Sequence, residues 1–67
     1  MNLTINGKTQ KLEPKTNIAG LLEILKLDPS SSLAIAINLE VIPKNRYETT
    51  FLKEGDAVEI LNPVAGG

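Results

Sequence analysis

The 67-residue chain, 42% hydrophobic and 22% charged with a formal net charge of −1, supports one small domain that buries only about 60% of its unfolded surface and has no room for an enclosed active-site cavity. It contains no cysteine and no histidine, which excludes a disulfide scaffold and thiolate chemistry and removes the commonest metal ligand and physiological general base. Its near-neutral charge gives no basic footprint for nucleic acid and no polybasic membrane anchor, no apolar run approaches the ~20 residues of a membrane span, and the N-terminus lacks the pattern of a signal peptide. We therefore expect a cytoplasmic protein that is not itself an enzyme, binds no cofactor or metal, and has proteins as partners.

Met1, Leu3 and Ile5 alternate with Asn2 and Thr4, the period-two pattern of a half-buried strand. Asn6-Gly7 follows. Both residues tolerate the positive φ of a type I′ turn, so Lys8 to Leu12 is read as the returning strand, lying at a sheet edge where its lysines discourage further pairing. Glu13-Pro14-Lys15 ends it. Ile18, Leu21, Leu22 and Leu25 then fall at i, i+3, i+4 and i+7, which puts them on one face of a helix capped by Thr16 or Asn17, with Glu23 and Lys26 outward. Gly20 costs up to ~1 kcal/mol relative to Ala inside a helix, so the sequence suggests that it allows a close approach to the sheet, simple tolerance near a helix end being the alternative. Asp28-Pro29 is expected to close the helix. Ser30-Ser31-Ser32 is a loop, and with no histidine or lysine in motif spacing its serines are turn residues rather than nucleophiles.

Leu33-Ala34-Ile35-Ala36-Ile37 is apolar on both faces, as for a central strand covered on one side by the helix, with the small Ala34 and Ala36 leaving the other face shallow. Asn38-Leu39-Glu40 turns the chain into Val41-Ile42, and Pro43 confines that segment to an edge because it cannot donate to a ladder. Arg46 to Phe51 reads as a short extended edge stretch with Tyr47 partly packed. Gly55 marks a turn before Ala57-Val58-Glu59-Ile60-Leu61, a last strand with Val58 and Ile60 on the core face and Ala57 and Leu61 opposite. The expected fold class is α+β: a mixed sheet of four to five strands with one helix across it, the last strand parallel to the first. We expect a single domain over residues 1–67.

Asn62-Pro63-Val64-Ala65-Gly66-Gly67 follows that strand as a flexible tail running off the sheet. Glycines without Cβ let a chain end lie in a channel too narrow for side chains. Gly-Gly at a terminus is also what simple fraying looks like, so the tail alone leaves both readings open. The reactive group it offers is the α-carboxylate of Gly67, ionised above its usual pKa of about 3.3–3.7 and unreactive toward nucleophiles until activated from outside.

Taken together, the opening strand with Asn6-Gly7, the helix segment Thr16 to Leu22, the hairpin Ala36 to Pro43, and Leu52-Lys53-Glu54-Gly55-Asp56 leading to Val64-Ala65-Gly66-Gly67 resemble the β-grasp, ubiquitin-like sulfur carriers, most closely the thiamine-biosynthesis branch. The likeness spans the whole chain. It implies that an E1-like adenylyltransferase uses ATP and Mg²⁺ to convert the Gly67 carboxylate to an acyl-adenylate, that a sulfur donor enzyme supplies the sulfur of a thiocarboxylate, and that thiazole synthase accepts it. It implies no catalytic residue on this chain. Gly66, Ala65 and Val64 would thread the partner's channel, and Leu61 with Pro63 would form an apolar patch at the root of the tail. Leu39 departs from the pattern, since the family commonly has glycine in that turn. Alternatives are a carrier resembling the molybdopterin-synthase small subunit and a noncovalent β-grasp interaction module in which Gly-Gly is incidental.

Overall fold

The computed structural model describes residues 1–28 and 32–61. Five strands, β1 (Asn2–Ile5), β2 (Lys8–Lys11), β3 (Ala34–Ile37), β4 (Glu40–Ile42) and β5 (Ala57–Leu61), form one sheet in the order β2-β1-β5-β3-β4, crossed by the helix α1 (Ile18–Ile24). β1 pairs antiparallel with β2 and parallel with β5, and β3 pairs antiparallel with both β5 and β4. The expected α+β fold, with the last strand parallel to the first, is therefore the one observed. One expectation changes: β5 is the central strand, and β3 lies one place in from the β4 edge. β3 was read as central from its apolar run, but the long-range β1–β5 pairing inserts β5 between the two hairpins.

Period-two burial follows the sequence. Leu3, Ile5, Ile35, Val58 and Ile60 point to the core and meet Ile18, Leu21 and Leu22 of α1 in one buried cluster. A helix of seven residues is not stable alone. Burial of its three apolar side chains contributes about 1.5–3 kcal/mol each as an upper bound, well above the ~1 kcal/mol that Gly20 costs.

Asn17, rather than Thr16, is the N-cap, its Oδ1 accepting from the Gly20 N–H at 2.7 Å. That contact also explains Gly20. A Cβ there would lie 3.0 Å from Asn17 Oδ1 and 3.5 Å from the Thr16 methyl group, so the glycine makes room for the cap and not for the sheet. The other end differs too. The helix closes before Asp28-Pro29, because Lys26 takes φ 59°, its N–H donates to Glu23 O (3.1 Å), and the Leu27 N–H reaches back to Leu22 O (2.8 Å). This is a Schellman closure with lysine where glycine is usual. Leu27 folds back onto the core beside Leu25.

The segment after β4 is not extended. Pro43, with φ −70°, opens a short 3₁₀ turn at Lys44–Arg46 that continues through bonded turns to Thr50. Its carbonyls serve the helix: Thr50 O accepts from the Ile18 N–H (3.1 Å) and Tyr47 O from the Ala19 N–H (3.1 Å), while Asn17 Nδ2 donates to Glu48 O (3.1 Å). Those are orphan donors of a helix N-terminus, which need partners when the end is packed against protein. Tyr47 is fully buried instead of partly packed, and burial raises its phenol above the ordinary value, so it stays neutral in the core.

Both hairpins turn on an asparagine. Asn6 and Gly7 have φ 51° and 83°, and Asn38 and Leu39 have φ 52° and 71°. Leu39 thus adopts the left-handed region in the position glycine would fill, and its side chain is 90% exposed. The left-handed conformation costs an L-residue about 1–2 kcal/mol, and glycine recovers this less its own entropy cost of roughly 0.5–1 kcal/mol. Leu39→Gly is therefore expected to stabilise the fold by about 0.5–1 kcal/mol, raising Tm by a few degrees. A lower Tm in thermal denaturation would show that the leucine makes stabilising contacts of its own.

Candidate functional site

The face of the sheet turned away from α1 carries the residues that alternate out of the core. Ala36 pairs across the ladders with Val41 on one side and Glu59 on the other, and Ala34 pairs with Leu61. Because two of these side chains are single methyl groups, the face is hollow there. An open groove of about 210 Å³ results, lined by Ala34, Ile35, Ala36, Val41, Glu59 and Leu61. Leu61 is 67% exposed and Val41 70%. Burying such side chains against a partner is worth about 25 cal/mol per Å² of apolar area removed from water. Glu59 is the charged member of the lining.

Leu61 stands where strand parity put it, opposite Val58 and Ile60. It closes one end of the groove and is also the last described residue, so the groove lies at the root of the tail. Pro63, Val64, Ala65, Gly66 and Gly67 fall outside the described residues, as does the expectation that 62–67 form a flexible tail. The sequence grouped Leu61 with Pro63, which lies outside the described residues; among those described, Leu61 comes together with Ala34, Ala36 and Val41. Val41 was missed because its facing depends on register: its pairing with Ala36 turns it to the open face, while Ile42, paired with Ile35, turns toward the core. The small residues Ala34 and Ala36, read from the sequence as leaving one face shallow, are where the groove lies.

β5 is held at its start by polar groups. Asn38 donates its N–H to Ala57 O (2.8 Å) and accepts from the Ala57 N–H through Oδ1 (3.0 Å). Its Nδ2 donates to Asp56 Oδ1 at 3.1 Å, and Asp56 Oδ2 takes the Lys53 N–H at 2.8 Å, so the buried carboxylate is partnered on both oxygens. Gly55, with φ 83°, lets this turn close, and its N–H donates to Asn2 O at 2.7 Å. No group of three or more histidine, cysteine, aspartate or glutamate side chains among the described residues is placed to hold a metal ion. No helix among them is long and apolar enough to cross a membrane.

The chain is similar over its whole length to the crystal structure of the thiamine biosynthesis protein ThiS from Geobacter metallireducens, at 36% identity, with full coverage of both chains and a TM-score of 0.84. The solution structure of a thiamine biosynthesis protein from the same organism matches 91% of the chain and 81% of its own at a TM-score of 0.76. Among curated proteins, a thiazole synthase of Paramagnetospirillum magneticum is 34% identical across all 67 residues, and the chain spans 20% of that relative's length. An uncharacterized protein, ycf40, of Porphyra purpurea is 30% identical, with 93% of its length covered. The ThiS family profile matches residues 3–67. With the β-grasp sheet, the two asparagine hairpins and the family match over nearly every residue, the chain belongs to the ThiS family, the thiamine-biosynthesis sulfur carriers that its motifs resemble.

Proposed function

We propose that this chain carries sulfur for thiazole formation in thiamine biosynthesis on the carboxylate of Gly67. In the first step a carboxylate oxygen attacks the α-phosphorus of ATP on an E1-like adenylyltransferase, forming the acyl-adenylate and releasing pyrophosphate. A sulfur nucleophile at the level of hydrosulfide, supplied by a donor enzyme, then attacks the acyl carbon and AMP leaves, giving the thiocarboxylate. ATP and Mg²⁺ belong to the adenylyltransferase. This chain supplies the carboxylate, a surface that docks it, and a backbone that reaches the partner's site. A thiazole synthase is the acceptor, and the similarity to one over a fifth of that protein's length supports this pairing. The thiamine branch is favoured over the molybdopterin one by the family match and by the Geobacter structure.

The observation that carries this reading is the groove at the end of β5: an exposed apolar surface reaching Leu61, six residues before Gly67. Its test is pyrophosphate exchange by the cognate adenylyltransferase with MgATP. Exchange that depends on adding this chain is expected, and none, with an enzyme proven active on its own carrier, would overturn the proposal.

The docking part has a separate test in Leu61→Lys. Leu61 is mostly exposed, so the substitution leaves the core intact, but in a complex it sets an unpaired ammonium against apolar surface. A hot-spot residue at an interface costs about 2 kcal/mol or more when truncated, which is more than tenfold in Kd. We expect a drop of about tenfold or more in affinity for the adenylyltransferase, with an unchanged far-UV circular dichroism spectrum. Equal affinity would mean that the complex leaves this face uncovered.

A further inference from the structure

Parallel pairing between β1 and β5 stops at Ile5 opposite Val58, because Asn6 turns away into the hairpin with φ 51°. β5 continues to Leu61. On its β3 edge the ladder also continues, as far as Ala34 opposite Leu61. On the β1 edge the main chain has gone, and a side chain takes its place. Asn6 donates its own N–H to Val58 O at 2.9 Å, then accepts the Ile60 N–H on Oδ1 at 2.8 Å and donates Nδ2 to Ile60 O at 3.3 Å. A carboxamide offers one acceptor and one donor in a fixed fork, so it can exchange with a strand residue as another strand residue would.

Glycine would serve the left-handed turn position at least as well. What asparagine adds is the pair of bonds to Ile60, one residue before Leu61 and the chain's last six residues. We propose that Asn6 is a positioning residue for the carboxylate chemistry: its side-chain amide fixes the end of β5, the root from which the chain must reach the adenylyltransferase. The inference rests on the carrier reading for its consequence, though not for its geometry. At full stretch six residues reach at most about 20 Å, so where β5 ends limits where the carboxylate can be placed. A misplacement of about 1 Å can cost 10²-fold in rate. An end of β5 held by β3 alone has that freedom.

Asn6→Gly keeps the left-handed turn conformation open and removes the amide, at glycine's own entropy cost to overall stability. In hydrogen exchange followed by nuclear magnetic resonance, the Ile60 amide of the variant should exchange about tenfold faster or more, while core amides such as that of Ile35 change far less. Affinity for the adenylyltransferase should stay within about twofold. The rate of pyrophosphate exchange at saturating carrier should fall about tenfold, a change in kcat that a merely less stable carrier would not produce once it is bound. Asn6→Asp keeps the acceptor for the Ile60 N–H and should recover part of both effects. An unchanged saturating rate alongside faster Ile60 exchange would overturn the proposal by making the clamp structural only, and an unchanged Ile60 exchange would overturn the clamp itself. Failure of the parent chain to support pyrophosphate exchange would instead reject the carrier reading, with the hydrogen-exchange comparison still deciding whether the clamp exists.

Discussion

Deleting Gly67 is expected to abolish acyl-adenylate formation and to leave the unfolding transition where it was. The first half follows from reach. Removing one residue withdraws the terminal carboxylate by up to about 3.5 Å along an extended chain, and displacements near 1 Å already cost about 10²-fold. Docking through the open face cannot compensate, because that face fixes Leu61 and not the far end. The second half follows from where the core lies. Among the described residues the buried hydrophobic cluster runs from Leu3 to Ile60, and α1 and the sheet are complete by Leu61. Thermal denaturation and pyrophosphate exchange on the same preparation check both halves. A deletion that exchanged pyrophosphate at the parent rate would remove Gly67 from the chemistry, and a loss of several degrees in Tm would place the chain end in the packing.

Gly66→Val should lower the exchange rate about 10²-fold while changing affinity little. In the proposed reaction a main-chain carboxylate would pass through another protein's site to meet the α-phosphate of ATP, and the residue beside it would pass through the same space. Valine adds two methyl groups there and closes the positive-φ region that glycine keeps open. Both would act on the position of the reacting carboxylate, whereas docking is proposed for the groove formed by Ala34, Ala36, Val41 and Leu61. Separate measurement of Kd and of exchange at saturation distinguishes the two effects. Exchange at the parent rate would mean that no narrow channel surrounds residue 66.

The parts of the fold that the sequence revealed are those whose signals are local. Asn6-Gly7 specifies its turn through backbone angles available to those two residues, and alternation along Leu3–Ile5 and Val58–Ile60 assigns sides without reference to neighbours. Leu61 was legible for the same reason, since parity within β5 is enough to turn it outward. Asn38-Leu39 kept the same turn although leucine is a poor choice for it, because Asn38 is bonded to Ala57 and Asp56 on the adjacent strand and turn.

What stayed hidden depends on partners far away in the chain. Arg46 to Phe51 read as an extended edge, yet carbonyls of that segment are drawn to the N-terminus of α1, some thirty positions earlier, as in the contact between Asn17 and Glu48 at a separation of 31. Gly20 was assigned to a helix–sheet contact because that is the common use of a small helical residue; the neighbour that matters is the cap three residues back. The helix ended early because Lys26 took a conformation that propensity disfavours, with the burial of Leu27 accompanying the closure. Asn6 carried two messages of which one was readable. Its turn role is local, whereas its grip on Ile60 spans 54 positions and needs the parallel pairing of the two terminal strands.

The Gly67 carboxylate is expected to exchange one oxygen for sulfur, and intact mass spectrometry after incubation with the cognate adenylyltransferase, MgATP and a sulfur source reads that exchange directly. Oxidation of Met1, the chain's one methionine, adds an oxygen and gives nearly the same mass change, so the shift has to be located by fragmentation. The account predicts the mass increase on fragments containing Gly67, dependent on ATP and absent from the Gly67 deletion. An unmodified terminus after incubation with an adenylyltransferase that loads its own carrier would contradict it.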